Sequence, residues 1–203
     1  MKKKKQSDIE KYCSHLEEIK WRSTAIEEII NKKISHGKEI LDYEFCAIQL
    51  RKILELIIFS TLIAHKDLYS STYKNFRKHW NTKDLLENLE QINPDFYPIP
   101  MKFDSQDPTT KVKHFGNVED GYLLKEEIIE LYDYCGGIIH TRNPFRTGSS
   151  TIHIRNSVTE WLQRIKNLLS LHRIQLTNSE SVWVVVMTHP EDGKVHTLVA
   201  EPM

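Results

Sequence analysis

The stretch LDYEFCAIQLRKILELIIFSTLIAHK, residues 41–66, decides how this chain is read. Phe45, Ile48, Leu50, Ile53, Leu54, Ile57, Ile58, Leu62 and Ile63 recur at helical spacing and cover most of the circumference. A helix apolar nearly all round must be surrounded by other elements, so 41–66 is expected to be the central helix of a bundle. Asp42 is the expected cap. The most apolar part, residues 53–64, is about a dozen residues, short of the ~20 that cross a bilayer. It follows Arg51-Lys52 and contains Glu55. A buried core helix is expected, not a membrane span.

Working outward, residues 7–34 read as a long helix, with Ser7 and Glu10 spaced as a capping box. Ser35-His36-Gly37 stops it, with Gly37 as a C-terminal cap. A short helical piece is expected near 70–79 and another over 82–92. Residues 120–141 and 151–173 carry two more apolar helical stripes. Between them, Pro94, Pro98, Pro100 and Pro108 forbid a continuous helix, so 93–118 is expected to be an irregular loop. The tail changes character. Residues 181–187 and 195–199 are rich in valine and flank Pro190-Glu191-Asp192-Gly193, which reads as a hairpin turn. The expected fold is mainly α: an up-and-down bundle of about four to six helices with a C-terminal β-hairpin. The expected division is a bundle over 1–175, with a basic tail at 1–6, and a hairpin appendage over 176–203.

The 203 residues carry 28 Lys+Arg against 28 Asp+Glu, for a net charge of zero. That argues against a wholly basic nucleic-acid binder and leaves a local basic patch open. Lys2 to Lys5 lead into Gln6-Ser7-Asp8 instead of an apolar run, so they read as a solvated tail and not as the start of a signal peptide. Cys13, Cys46 and Cys135 are odd in number and contain no CxxC pair, which points to a reducing, cytoplasmic setting. No P-loop, GxGxxG, GxSxG, HExxH or EF-hand pattern occurs, and neither a cofactor nor a metal is expected.

Three groups of residues could carry chemistry. The first is Cys135-Gly136-Gly137-Ile138-Ile139-His140-Thr141-Arg142-Asn143. His140 falls at a helix end, where the negative end of the dipole attracts positive charge. Gly136 and Gly137 precede it by about one turn and would leave a notch beside the imidazole. With Arg142 and Asn143 at the exit, this set could bind a phosphate and move a proton. The alternative is a histidine capping carbonyls beside glycines that permit close helix packing. The second group is Arg51 and Glu55, spaced i,i+4 on the central helix. They are either a structural ion pair or the lining of the pocket that holds His140. The third is Tyr73, Lys74, Phe76, Arg77, Lys78, His79 and Trp80, which suits base stacking or a solvated amphipathic face. Seven histidines, His36, His65, His79, His114, His172, His189 and His196, show no close partner pattern.

The stretch from Cys46 through Leu50-Arg51 to Leu54-Glu55 resembles the LR-x-x-LE helix of the HEPN superfamily (higher eukaryotes and prokaryotes nucleotide-binding). The helix ending Tyr134-Cys135-Gly136-Gly137-Ile138-Ile139-His140 resembles that superfamily's second signature helix, which often ends in an R-x4-H motif. The resemblance implies a helical bundle, often dimeric, that binds RNA or nucleotides. Some members are metal-independent ribonucleases of toxin–antitoxin or antiphage defence systems, with the motif's Arg on the phosphate and its His in acid–base chemistry. Here the motif's Arg position holds Cys135, which cannot offer a bidentate cationic fork. Two readings follow. In one, the chain is a degenerate RNA- or nucleotide-binding interaction module, homodimeric, with the hairpin free to meet a protein partner. In the other, it is a ribonuclease toxin that uses His140 with Arg142, and Arg51, Glu55 and Asn143 hold the substrate.

Overall fold

The structure, a computed structural model, describes residues 7–73, 81–110, 112–140, 151–176 and 181–200. In chain order the elements are α1 (Asp8–Ile30), α2 (Glu39–Ala64), α3 (Lys66–Thr72), α4 (Thr82–Ile92), β1 (Ile99–Gln106), β2 (Lys113–Asn117), α5 (Glu127–Ile139), α6 (Thr151–Leu169), β3 (Leu171–Gln175), β4 (Val182–Val186) and β5 (His196–Ala200). The expected basic tail at 1–6 and most of the basic, aromatic stretch at 73–80 lie outside the described residues.

Helix α2 takes the central place its composition demands. Leu50, Ile53, Leu54, Ile57 and Ile58 are all buried, and α1, α4, α5 and α6 pack around it. Helix α1 starts as expected: Ser7 Oγ accepts the Glu10 N–H at 3.1 Å, and Glu10 Oε2 accepts the Ser7 N–H at 2.6 Å. Asp42 does not cap α2. Lys38 stands at the cap without a side-chain bond. Asp42 turns back instead, accepting from the Ser35 hydroxyl and from the His36 backbone N–H. Among the described residues, no helix is long and apolar enough to cross a membrane.

The fold is not a helical bundle with only a C-terminal hairpin. Its helices share it with a five-stranded sheet in the order β2-β1-β3-β4-β5, in which every neighbouring pair is antiparallel. Two segments account for the difference. Residues 93–118 form the β1–β2 hairpin, and the prolines do not prevent it. Pro100 is the second residue of β1 and works through its carbonyl, which accepts the Val118 N–H at 3.3 Å. The second segment is 170–175. The apolar stripe of α6 runs on into Leu171, but the helix ends at Leu169 and β3 begins two residues later.

Strands β3 and β4 alternate with period two. His172 and Ile174 face the helices, opposite Val185 and Trp183 in the register. The predicted hairpin is therefore the far edge of a sheet that packs one face on the helical layer. His172 fastens the two layers. It is fully buried, and its Nδ1 lies 2.9 Å from the Leu169 carbonyl, so that nitrogen carries the proton. Its Nε2 then accepts from the Tyr12 hydroxyl at 2.8 Å, tying α1 to β3. Trp183 meets the Tyr12 ring edge-on at 5.5 Å. Burial holds His172 well below its ordinary value, at about 4, against the pull of the Leu169 carbonyl.

Candidate functional site: an arginine laid against a glycine

Helices α2 and α5 pack side by side, and a charged pair on α2 meets a tyrosine of α5 across the contact. Arg51 and Glu55 sit one turn apart on α2, with Arg51 Nε 3.8 Å from Glu55 Oε1. Tyr132 of α5 meets both. Its hydroxyl accepts from Arg51 Nη2 at 2.5 Å and donates to Glu55 Oε1 at 3.3 Å. The guanidinium carbon lies 3.8 Å from the centre of the Tyr132 ring, close enough for a cation–π contact. Lys52 reaches the other carboxylate oxygen of Glu55 at 3.1 Å. A guanidinium on a long side chain is thus held by a ring, a hydroxyl and a carboxylate. About a third of the Arg51 side chain remains exposed.

The glycine pair in α5 gains a reason here. A Cβ built on Gly136 would stand 3.3 Å from Arg51 Nη1, tighter than ordinary van der Waals contact. Any larger side chain at 136 would push the guanidinium away. Around Gly137 nothing lies within 4 Å of such a Cβ, so that residue faces open space. Residue 135, where the resemblance expects arginine, is a buried cysteine. Burial pushes its thiol up to about 12, even though the nearby Arg51 charge acts in the opposite direction. Cys135 is therefore a neutral thiol at physiological pH and no nucleophile. The cation at this place comes from the neighbouring helix, through Arg51.

His140 ends α5. Its backbone N–H donates to the Gly136 carbonyl at 3.1 Å, and its φ and ψ of −77° and 141° take it out of the helix. The imidazole is exposed and has no hydrogen-bond partner among the described residues. It stands one turn beyond the glycine that Arg51 touches, about 6 Å along the helix axis at 1.5 Å per residue. Arg51 and Glu55 are brought together against α5, and His140 stands four residues beyond Gly136, at the helix end. Arg142 and Asn143, expected to complete the group, lie outside the described residues. The sequence reading missed Tyr132, the residue that joins Arg51 to Glu55. Its only sequence signal was its place on the apolar stripe of α5, where a phenol reads as core.

The arrangement can do one thing well. It offers a planar, partly exposed guanidinium laid over Gly136, with an exposed imidazole four residues further along the chain. That suits a phosphate or carboxylate oxygen. Acid–base catalysis would need the imidazole oriented by a second group, and the described residues supply none. The histidines the sequence left unpaired do better elsewhere: His189 and His196 stack at the β4–β5 turn, beside Asp192. No protein-family model matches the chain, and neither a curated protein nor a solved structure matches it.

Proposed function

We propose that this chain is a HEPN-like RNA- or nucleotide-binding module of a bacterial defence or toxin–antitoxin system, which grips a phosphate without cutting it. The reading rests on the site and not on the architecture, since the five-stranded sheet lies outside the helical plan that the resemblance implies. One observation carries it: the Arg51 guanidinium lies against Gly136, next to the cysteine that occupies the motif's arginine position. A cation delivered from α2 keeps the phosphate-holding half of the motif. The acid–base half is weaker. His140 lacks an orienting partner, and Glu55 already offsets part of the Arg51 charge. Binding without cleavage is what such a site does.

The cytoplasm is the proposed setting, in keeping with three cysteines that are all free thiols. The proposed assembly is a homodimer that meets a protein partner through the C-terminal hairpin. Support for the hairpin as a contact surface comes from β5. It is an edge strand, and Leu198 and Val199 are both more than half exposed.

Equilibrium binding of fluorescently labelled single-stranded RNA tests the reading. Arg51→Met should weaken binding by about tenfold, the loss of one charge-assisted contact. Equal affinity in both proteins would overturn the proposal. The cutting alternative draws on the exposed imidazole of His140. If the wild type degrades RNA in EDTA and His140→Ala does not, the ribonuclease reading replaces this one.

A further inference from the structure

The strongest unassigned cluster sits at the opposite end of the chain from Arg51. We infer that the turn between β4 and β5 is a binding site for a divalent transition metal of the zinc type, with His189, Asp192 and His196 as its protein ligands.

The turn is rigid before any metal arrives. The His189 N–H donates to the Lys194 carbonyl and the Gly193 N–H to the His189 carbonyl, each at 2.8 Å. Gly193 supports the reversal with a φ of +70°, a conformation that a side chain would strain. Asp192 is fixed from its own side, since its Oδ1 accepts the Lys194 N–H at 2.9 Å. These bonds place three donor side chains on one side of the hairpin. His196, the first residue of β5, has its Nε2 3.1 Å from both Asp192 carboxylate oxygens. The His189 and His196 rings stack with centroids 4.2 Å apart and planes 16° from parallel. One donor atom from each of the three residues lies within 4.8 Å of the others.

The donor types are those a transition metal takes, and one of the distances is already right. Ligand atoms around a tetrahedral zinc at ~2.0 Å stand about 3.3 Å from one another. The His196–Asp192 pair is already at that spacing. His189 closes the remainder by a side-chain rotation that gives up its stack on His196 and its long contact with the Glu191 N–H, which its partly exposed position allows. Two imidazole nitrogens and one carboxylate suit zinc and its first-row neighbours better than magnesium or calcium, which prefer all-oxygen cages. Water would complete the coordination. The charge also fits. Two neutral imidazoles and one carboxylate sum to −1, and a dication turns that to +1. A metal on His196 Nε2 would take the place of its hydrogen bond to Asp192, and the neutral ring would carry its proton on Nδ1.

A bound metal would stiffen the outer end of the sheet where it docks on α1. That docking runs through the Lys20 ammonium on the Gly193 carbonyl at 2.5 Å and through the Val195 N–H on Glu17 Oε1 at 2.6 Å. The sequence hides the site because Pro190 and Gly193 break the helix on which the i, i+3, i+7 spacing of H-x2-D-x3-H would be recognised. Here a hairpin turn brings the three residues together.

Isothermal titration of the untagged, metal-free full chain with zinc tests the inference. The expected result is one saturable site per chain, weakened at least about tenfold in both His189→Ala and His196→Ala. A parallel cobalt titration reads the donor set. The wild type should give the visible bands of a tetrahedral nitrogen–oxygen site, and both should be lost in the variants. Circular dichroism shows that the variants are folded. Three results would overturn the inference: no saturable binding, binding unchanged by both substitutions, or a thiolate-to-cobalt charge-transfer band. The last two would move the metal to another site, the third to one of the cysteines.

Discussion

The Arg51 guanidinium occupies the space that a side chain on Gly136 would need, with Nη1 3.3 Å from the Cβ that residue lacks. A helix normally loses about 1 kcal/mol by holding glycine in place of alanine in its interior. At position 136 that cost leaves room for a charge.

The two neighbouring glycines should therefore answer alanine differently. Gly137→Ala meets nothing within 4 Å and should stabilise the protein by about 0.5–1 kcal/mol. Gly136→Ala gains the same helix propensity but moves a flexible guanidinium by a few tenths of an ångström. Its stability gain should be smaller, and RNA affinity should fall. Chemical denaturation and the RNA-binding assay, run on both variants, check the contrast. Equal behaviour would mean that Arg51 does not use the notch.

Tyr132→Phe keeps the ring beneath Arg51 and removes the hydroxyl that joins Arg51 to Glu55. The expected cost is about 1 kcal/mol of stability, typical of a hydrogen bond to charged partners that stay partly solvated. RNA affinity should drop by a few-fold because the guanidinium loses its orientation. Unfolding midpoints paired with binding constants separate the two effects.

His172 makes stability depend on pH. Its pKa in the fold is about 4, below the ordinary 6.5, because burial disfavours the imidazolium. A depressed histidine costs nothing while both states are neutral, above about pH 6.5. As pH falls from there toward 4 the unfolded chain takes up a proton that the folded chain refuses, and stability declines by up to about 3 kcal/mol. Denaturation at pH 7 and pH 4.5 should show that decline in the wild type. In His172→Gln it should be smaller, on a lower baseline, with part of the remainder coming from His15, which burial also lowers. Tyr12→Phe removes the donor to His172 Nε2 and should cost about 1–3 kcal/mol at neutral pH.

Much of the helical layer was legible because its signals are local. The capping box at Ser7 and Glu10, and the apolar circumference of α2, needed only the spacing of neighbouring residues. The sheet was not, because three of its strands carry no strand signature of their own. Strand β1 is exposed beyond its first three residues, and Pro98 and Pro100 argue against it. Strand β2 is five mostly exposed residues, and β3 begins on the tail of a helical stripe. These segments become strands by pairing with partners far away in the sequence: Ile99 opposite Arg173, and Leu171 opposite Val186.

The candidate site divides along the same line. Arg51 with Glu55, and Gly136 with His140, could be picked out because each pair lies within one helix. That Arg51 would cross to Gly136, and that Tyr132 would bridge the two charges, depended on how α2 packs on α5. Asp42 shows the converse. Its position near a helix start predicted a cap, and the fold gave its carboxylate to the loop that holds Ser35 and His36.

The most direct test of the central claim is the salt dependence of RNA binding by the wild type, Arg51→Lys and Arg51→Met. If Arg51 holds a phosphate, the slope of log affinity against log salt should fall by about 0.7 in Arg51→Met, the share of one single-strand phosphate contact. Arg51→Lys should keep the slope and lose affinity, since it retains the charge without the fork. An unchanged slope in Arg51→Met would contradict the claim and leave Arg51 as a structural ion pair between two helices.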